Sequence, residues 1–440
     1  MEQSVSSPVS GTVETTKTNH LDVLLAIRAI ACFFVVVAHC SPPRDAIIFQ
    51  GYDLSWLLFA AGGMYLRTFF CLSGYLMGKL FYTGRYQLSL DGILKFWRNR
   101  VLRVFPLYYF AALFLIIFMY TGLLKLENWG YLIRIFTFTY NHALPPDFNR
   151  PLWSLSTEVQ FYLLAPFIYS FVRERCAKPR QIYAAAIIII LFTSLLRLPV
   201  WITDLRSDVI TYWYTPLVGN LDMFLCGFLL NPLIKYDRDY QEQRNLKTHA
   251  LNQLAPLEVV QDGDRGNGLK TSLFFKSRSK SPEWLGKFIA VSLMIAFHFY
   301  TAYHIYHHEM RNIAGAETGI KTSMSFFILP IVTALLVSFL IYKFESGASY
   351  LGHLSNEKLS IHACIRNPIR LIEIFGYLSY GIYVWHMPII RQITPIVTSQ
   401  IPLEVFLTKV SIVAILCILV ATVTYYLVEL PAARWRFGGK

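Results

Sequence analysis

The stretch Asp22-Val-Leu-Leu-Ala-Ile-Arg28-Ala-Ile-Ala-Cys-Phe-Phe-Val-Val-Val-Ala-His39 is apolar between its two ends except for one arginine. Its length is close to the roughly 20 residues that a helix needs to cross a bilayer. Arg28 and His39 are eleven residues apart, so at about 100° per residue they share one helix face, roughly 16 Å from each other. Ionisable groups inside a membrane span are costly and usually mark a substrate, ion or proton path. This helix is therefore the first candidate for a functional site.

Similar apolar stretches recur along the whole chain. The 440 residues are 55% hydrophobic and only 15% charged, which is too apolar for an ordinary soluble domain. We therefore predict an all-α, polytopic membrane protein with about ten transmembrane helices. The predicted spans lie near residues 22–41, 56–78, 104–122, 152–172, 181–200, 213–234, 284–304, 323–343, 371–393 and 404–428.

The basic residues predict the orientation of these spans. If the N-terminus is inside, 28 of the 40 Lys and Arg residues fall on that side and 7 in the opposite loops. Because positively charged loops stay in the cytoplasm, we expect both termini to be cytoplasmic in a multi-pass protein of the plasma (inner) membrane. The net charge of +13 then reflects topology and contact with anionic membrane lipid. No nucleic-acid partner is needed to explain it.

The polar segments predict the domain organisation. Residues 1–20 are predicted to form a disordered cytoplasmic tail, and residues 21–436 a single transmembrane domain. Within that domain, residues 236–283 are rich in Gln, Asn, Asp and Gly, which is typical of a flexible cytoplasmic loop. The seven cysteines show neither paired nor metal-type spacing, so we predict neither disulfides nor a metal site.

A second set of polar residues opens the fourth predicted span, in Trp153-Ser-Leu-Ser-Thr-Glu-Val-Gln-Phe-Tyr162. Ser154, Glu158 and Tyr162 recur every four residues and so share one stripe of a helix. A carboxylate inside a span needs a partner or a function. Glu158 is predicted to lie at a depth similar to that of His39, which makes the two side chains candidates for joint catalytic work.

Three arginines immediately precede the third span. Arg98, Arg100 and Arg103 could form bidentate contacts with phosphate oxygens at the inner surface. The alternative is ordinary anchoring by positive charge at the cytoplasmic face, and the sequence does not decide between them.

Further polar groups occur in the second and ninth spans. Ser73 and Gly74 suit either close helix packing or a substrate contact, and packing is favoured. Ser379, Tyr383 and His386 are spaced four and three residues apart, so they too lie on one helix face. A role for His386 in the site is as well supported as a structural one.

Taken in order, these segments resemble the acyltransferase-3 family of integral membrane acyltransferases, over nearly the whole chain. The elements that carry the resemblance are Arg28-x10-His39, Phe-x-Leu-Ser73-Gly74, Arg100-x-x-Arg103-x-x-Pro106, Leu152-Trp-Ser-Leu-x-x-Glu158, Leu221-Asp222-x4-Gly227, Gly376-Tyr-Leu-Ser379-Tyr380 with His386, and Glu429-Leu-Pro431. Many relatives have a second acidic residue directly after the first in the fourth-span element. Here Val159 stands in that place, so Glu158 would have to act alone.

The resemblance implies transfer of an acyl group, most often acetyl from acetyl-CoA, to a hydroxyl of an envelope or exported carbohydrate. The expected partners are acyl-CoA as donor substrate, a carbohydrate or lipid-linked glycan as acceptor, and membrane lipid, with no bound cofactor. Because only ten residues follow Leu430 in this sequence, we do not expect the soluble C-terminal hydrolase-like domain that some members carry.

Such a transfer needs a base at the attacking hydroxyl and stabilisation of the developing oxyanion. His39 is the candidate base, because the unperturbed pKa of histidine, about 6.5, leaves a neutral imidazole at neutral pH. Glu158 is expected to orient His39 or to stabilise its imidazolium. The donor phosphates are assigned to Arg28, Arg100 and Arg103. Substrate contacts are expected from Ser73, Trp153, Ser154, Tyr383 and His386.

Two matters remain open at this level. Direct transfer and a covalent acyl-histidine are both compatible with the sequence. The same ionisable residues could also form the proton relay of a secondary transporter or flippase of a sugar or lipid. Transporters are usually built from internal repeats, and the Arg-x10-His arrangement has no clear second copy in this chain, which favours the enzyme.

Overall fold

The computed structural model describes residues 22–139, 148–203, 215–254, 282–309, 327–346 and 370–436. Across these ranges the chain is helical apart from short turns and one hairpin, in which strands β1 (Ile48–Phe49) and β2 (Tyr52–Asp53) pair antiparallel. The helices are α1 Val23–His39, α2 Gly62–Tyr82, α3 Leu90–Phe118, α4 Trp129–Phe136, α5 Trp153–Arg175, α6 Pro179–Thr203, α7 Leu221–Leu254, α8 Glu283–His304, α9 Leu329–Glu345, α10 Arg370–Ile393, α11 Pro402–Thr424 and α12 Leu430–Arg436.

The prediction of an all-α polytopic membrane protein is confirmed. Among the described residues, six helical segments are long and apolar enough to cross a membrane, and α1 is a shorter apolar helix. The six segments are Ser55–Tyr82, Leu90–Phe118, Pro179–Pro199, Leu217–Ala250, Glu283–His307 and Pro402–Trp435. The count of about ten spans remains a prediction.

Helices α5 and α10 are not among the six segments, although both overlap predicted spans. Each buries polar side chains within the protein, such as Thr157 on α5 and Glu373 and His386 on α10. Such residues lower the apolarity of a helix, and they are tolerated in a membrane only where they face the inside of a bundle. The two helices therefore have the character expected of helices that carry a site.

Helices α1 and α10 run side by side in the same direction. Near their N-terminal ends the backbone N–H of Asp22 donates to the Glu373 carboxylate at 2.7 Å. Further along, the Cys32 thiol contacts the carbonyl oxygen of Ser379 at 3.4 Å. A Cβ at Gly376 would lie 2.3 Å from the Leu25 carbonyl oxygen, so glycine allows this close approach. Because α1 and α10 rise by the same distance per residue, their C-terminal halves also lie side by side.

Glycines also set the contact between α2 and α7. A Cβ at Gly74 would lie 1.8 Å from the backbone oxygen of Phe224, and one at Gly227 would lie 1.9 Å from that of Cys71. Only glycine fits where two backbones approach so closely. The packing alternative is thus confirmed for Gly74. Its neighbour Ser73 instead donates a hydrogen bond to the Glu158 carboxylate, as described below.

A buried ion pair joins α6 to the start of α7. Arg197 and Asp222 are 2.7 Å apart, with side chains that are 5% and 0% exposed, and Arg197 also donates to the carbonyl oxygen of Gly219 at 2.6 Å. Loss of one partner would leave an uncompensated buried charge. The Asp222 element of the family pattern therefore has a structural use.

The loop predicted for residues 236–283 differs from the structure at its start. Helix α7 continues to Leu254, so residues 236–254 are helical rather than flexible. The segment contains no Gly or Pro and many good helix formers, so nothing ends the helix at the membrane surface. The tail 1–20 and residues 255–281 lie outside the described ranges.

Candidate active site

A cavity of about 100 Å³ lies between α1, α2, α3, α5 and α10. Its wall combines three basic side chains, one carboxylate and several hydroxyls, set among apolar groups. The polar lining residues are Arg28, Ser73, Arg100, Arg103, Ser154, Glu158, Tyr162, Ser379, Tyr380 and Tyr383. Side chains predicted from five separate segments of the sequence therefore meet in one place.

The three predicted phosphate-binding arginines share this cavity. The Nε atoms of Arg28 and Arg100 are buried and have no hydrogen-bond partner in the described part of the chain. The Arg100 guanidinium lies 5.9 Å from the centre of the Phe96 ring, and Arg103 lies 3.8 Å from the Glu429 carboxylate. Because buried donors are normally satisfied, this arrangement favours an anionic ligand.

Glu158 lies among these arginines and hydroxyls. Its carboxylate accepts a hydrogen bond from the Ser73 hydroxyl and another from the Tyr162 hydroxyl at 2.5 Å. It is also close enough to Arg28 to interact with it electrostatically. Ser73, on the same turn as the packing residue Gly74, thus ties α2 to the carboxylate of α5.

The expected contact between Glu158 and His39 is not formed. No hydrogen bond joins the two side chains, both of which the structure describes; His39 instead contacts the carbonyl oxygen of Val35 through Nδ1, at 2.8 Å. The reason is helix pairing, since Glu158 faces α2 whereas the C-terminal end of α1 packs against α10. The expectation that Glu158 orients His39 directly was therefore wrong.

His39 is the last residue of α1, and its side chain is exposed. The helix ends there because the N–H of Cys40 closes the last turn onto Val36 and Ser41 takes a positive φ of 56°. The ring therefore lies at the surface of the helix bundle, at the end of α1.

His386 lies directly beside His39, with ring centroids 5.0 Å apart. It is fully buried, and its Nδ1 contacts the carbonyl oxygen of Tyr383 at 2.6 Å. Tyr383 is the link to the cavity, because it lines the cavity wall, its hydroxyl contacts that of Ser154 at 2.6 Å, and its ring is 5.4 Å from that of His386. The histidine pair therefore adjoins the cavity across one tyrosine.

Besides the two histidines, two more predicted residues lie outside the cavity lining. Trp153 is buried and packs edge-on against Phe70, a wall residue, with ring centroids 6.0 Å apart. Its assigned substrate contact stays a prediction. Arg98 is exposed and does not line the cavity, so the structure separates it from Arg100 and Arg103.

Sequence reasoning left out two buried polar residues at this site. Glu429 was noted only as part of a motif, although a carboxylate at the end of an apolar run calls for a cation such as Arg103. Asn149 was not singled out at all. Its amide donates to the carbonyl oxygen of Val384 at 2.8 Å, a contact between residues 235 positions apart that no local pattern reveals.

The family of this chain follows from comparison with known proteins. The sequence profile of the acyltransferase-3 family, described as an acyltransferase domain, matches residues 22–428. The chain belongs to this family, which confirms the resemblance seen in the ordered motifs. No solved structure matches this chain.

Its curated relatives are bacterial acetyltransferases. O-acetyltransferase OatA of Staphylococcus aureus (strain NCTC 8325) is 23% identical over 95% of this chain and 58% of its own length. Peptidoglycan O-acetyltransferase OatA of Listeria monocytogenes is 24% identical over 81% of this chain and 49% of its own length. The putative peptidoglycan O-acetyltransferase YrhL of Bacillus subtilis is 23% identical over 94% of this chain and 56% of its own length. The chain thus spans 49% to 58% of the length of these relatives.

Proposed function

We propose that this protein is a membrane O-acyltransferase that moves an acyl group, most simply acetyl, from acyl-CoA to a hydroxyl of an envelope or exported carbohydrate. One observation carries the proposal. A cavity in which Arg28, Arg100 and Arg103 meet adjoins a pair of histidines, His39 and His386. This places a group of anion-binding side chains next to a group of bases within one bundle.

The arginines suit the phosphates of the donor. Guanidinium groups bind phosphate oxygens in a bidentate manner, and the buried Nε atoms of Arg28 and Arg100 have no partner within the described ranges. A cavity of about 100 Å³ is too small for a whole nucleotide. The adenosine part of the donor would therefore extend beyond its mouth.

His39 would act as the general base. Since a carbonyl oxygen can only accept, the contact with Val35 requires a proton on Nδ1 of His39 and leaves a lone pair on Nε2. That nitrogen takes the proton of the acceptor hydroxyl as the oxygen attacks the thioester. The proton then leaves with the thiolate. Positive charge from the arginines would favour the developing oxyanion.

The orientation is part of the proposal. Both termini would be cytoplasmic in a multi-pass plasma (inner) membrane protein, as the loop charges predict. The donor would then be bound from the side where CoA is made. Relatives named as peptidoglycan O-acetyltransferases support a carbohydrate acceptor.

A proton-coupled transporter is the second candidate, because ionisable side chains extend from Arg28 through Glu158 to the histidines. The two can be separated with purified protein in detergent, where no gradient exists. With acyl-CoA and a soluble sugar, an acyltransferase releases free CoA thiol that a colorimetric reagent counts, and His39→Ala should reduce it to background. Absence of thiol with a range of acyl-CoAs and sugars, together with gradient-driven sugar or lipid movement in vesicles, would favour the transporter.

The acceptor needs a second experiment. Mass spectrometry of envelope and secreted glycans, with and without the gene, should show one sugar that carries an additional acyl mass only when the active protein is present. Restoration of that mass by the wild-type gene and not by His39→Ala would assign it to this enzyme.

A further inference from the structure

The imidazolium of His39 lacks the carboxylate partner that the sequence suggested. Glu158 is engaged by Ser73 and Tyr162, and no carboxylate in the described part of the chain is hydrogen-bonded to His39 or His386. A protonated histidine at the edge of an apolar bundle would need some other acceptor. The structure offers one candidate.

We infer that Nε2 of His386 accepts a hydrogen bond from the protonated Nε2 of His39 and so stabilises the imidazolium during acyl transfer. The inference rests on the proposed function and assigns a positioning role to His386. It follows from the adjacency of the two rings, whose centroids are 5.0 Å apart, and from a lone pair on Nε2 of His386 that no other group in the described ranges uses.

The hydrogen bonds of the two rings determine which nitrogens are free. Nδ1 of each ring contacts a backbone carbonyl oxygen, that of Val35 for His39 and that of Tyr383 for His386. Both Nδ1 atoms must therefore carry protons, and both Nε2 atoms carry lone pairs. Nε2 of His386 is buried and has no hydrogen-bond partner among the residues that the structure describes.

Two neutral rings in this state lack a proton between them. Two lone pairs cannot bond to each other, whereas the addition of one proton creates a donor and an acceptor. Such charge-assisted hydrogen bonds are roughly twice as strong as neutral ones. In this scheme the exposed ring of His39 contacts the hydroxyl of the carbohydrate substrate. The buried ring of His386 is held in position by its contact with its own helix.

The transfer remains balanced under this scheme. The acceptor O–H bond breaks as its oxygen bonds to the acyl carbon, and the proton moves to Nε2 of His39, where it stays while this N–H donates a hydrogen bond to Nε2 of His386. The C–S bond of the thioester then breaks, and the leaving thiolate takes up the same proton. No additional reactant is required, and both rings return to the neutral state.

Substitutions at His386 can separate this role from packing. In His386→Gln the amide can place an acceptor near the position of Nε2, whereas the shorter amide of His386→Asn reaches only the position of Nδ1 and can keep the contact with Tyr383. His386→Phe keeps a ring and has no acceptor. All three should bind acyl-CoA with wild-type affinity, since His386 does not line the arginine cavity.

The readout is kcat and KM for donor and acceptor in the thiol-release assay. Because the bond forms only when His39 is protonated, its loss should lower kcat by at least about 10-fold in Asn and Phe while both KM values stay within about twofold. Gln should recover a clear part of kcat. If the His386→Phe protein does not bind the donor, the comparison of kcat between His386→Gln and His386→Asn is sufficient to test the inference.

Three results would overturn the inference: wild-type kcat in Asn or Phe, equal kcat in Gln and Asn, or a loss confined to KM. Each is distinct from failure of the proposed function, which would appear as absence of thiol release by the wild-type protein.

Discussion

The two ends of the site are built in different ways. At the cavity, side chains from separate helices bond to one another, as Glu158 does with Ser73 and Tyr162. At the histidine end, His39 and His386 bond through Nδ1 to backbone carbonyls of their own helices. The first arrangement fixes a preformed binding surface across several helices. The second fixes the ring tautomers and leaves lone pairs for chemistry, so binding and proton transfer should respond differently to substitution.

The largest effect is expected at the histidine end. His39→Ala removes the base and should lower kcat by about 100- to 10,000-fold, while donor KM and membrane insertion stay close to wild type. Initial rates of thiol release with purified protein would measure this. Substantial transfer by a well-folded His39→Ala protein would remove His39 from the catalytic role.

At the cavity, the effect should appear in donor binding. Arg28→Lys and Arg103→Lys keep the charge and lose the planar fork, so donor KM should rise by about 10-fold, as loss of a charge-assisted hydrogen bond implies, with acceptor KM unchanged. Arg98→Lys is the matched control, because Arg98 is exposed and lies outside the cavity lining. Equal donor KM values in all three variants would assign these arginines to anchoring.

Substitution of Glu158 tests whether this residue belongs to the donor-binding cavity or to the histidine end of the site. Glu158→Gln retains an oxygen that can accept from Ser73 and Tyr162 and removes the charge next to Arg28. Because the donor phosphates are then no longer repelled by a carboxylate in the same cavity, donor KM should fall, by about 10-fold at most, and kcat should stay close to wild type. If Glu158→Gln instead lost kcat to the extent of His39→Ala with donor KM unchanged, Glu158 would belong to the proton-transfer end.

Helix packing behind the cavity should show a comparable effect on stability. Gly74→Ala forces a Cβ to within 1.8 Å of the Phe224 backbone oxygen, and such overpacking costs about 1–3 kcal/mol. Gly122→Ala is the control, because a Cβ there meets nothing within 4 Å. Thermal unfolding in detergent should distinguish the two variants, and equal melting temperatures would contradict the close α2–α7 contact.

The smallest effect concerns the hairpin that follows His39. Burial alone would raise the pKa of Asp53, but hydrogen bonds from Tyr306 and Ser55 outweigh it and lower the pKa to about 2. Since the folded pKa lies below the ordinary value, this contact stabilises the fold above about pH 4 and loses its effect as the pH falls through about 2. Asp53→Asn should slightly lower the melting temperature at pH 7 and leave donor KM unchanged. A wild-type melting temperature would show that the contact adds no stability.

The sequence predicted the components of the site better than their contacts. Periodicity placed Arg28 and His39 on one helix, and α1 runs from Val23 to His39 as that pattern requires. Glu158 was recognised because a carboxylate within an apolar run calls for a function. The contact of His39 with His386 was not recognised, because the pairing of α1 with α10 joins residues almost 350 positions apart, as in the contact between Cys32 and Ser379. One sequence carries no signal for such pairs.

The end of a helix was equally hard to place from composition. The first predicted span extended to residue 41 because its residues are apolar, yet the turn at Cys40 and the positive φ of Ser41 end the helix directly after His39. Residues 236–254 show the opposite error, since polar composition suggested a loop where an uninterrupted helix continues. Hydrophobicity reports burial and membrane depth, whereas helix ends depend on local backbone geometry.

The central claim is that one donor molecule joins the two ends. A structure of the protein with a non-hydrolysable thioether analogue of acetyl-CoA tests it most directly. The account predicts phosphate density at Arg28, Arg100 and Arg103, with the acyl end directed past Tyr383 toward His39 and His386. Density for the analogue away from the arginine cavity, or an acyl end directed away from the histidines, would contradict it.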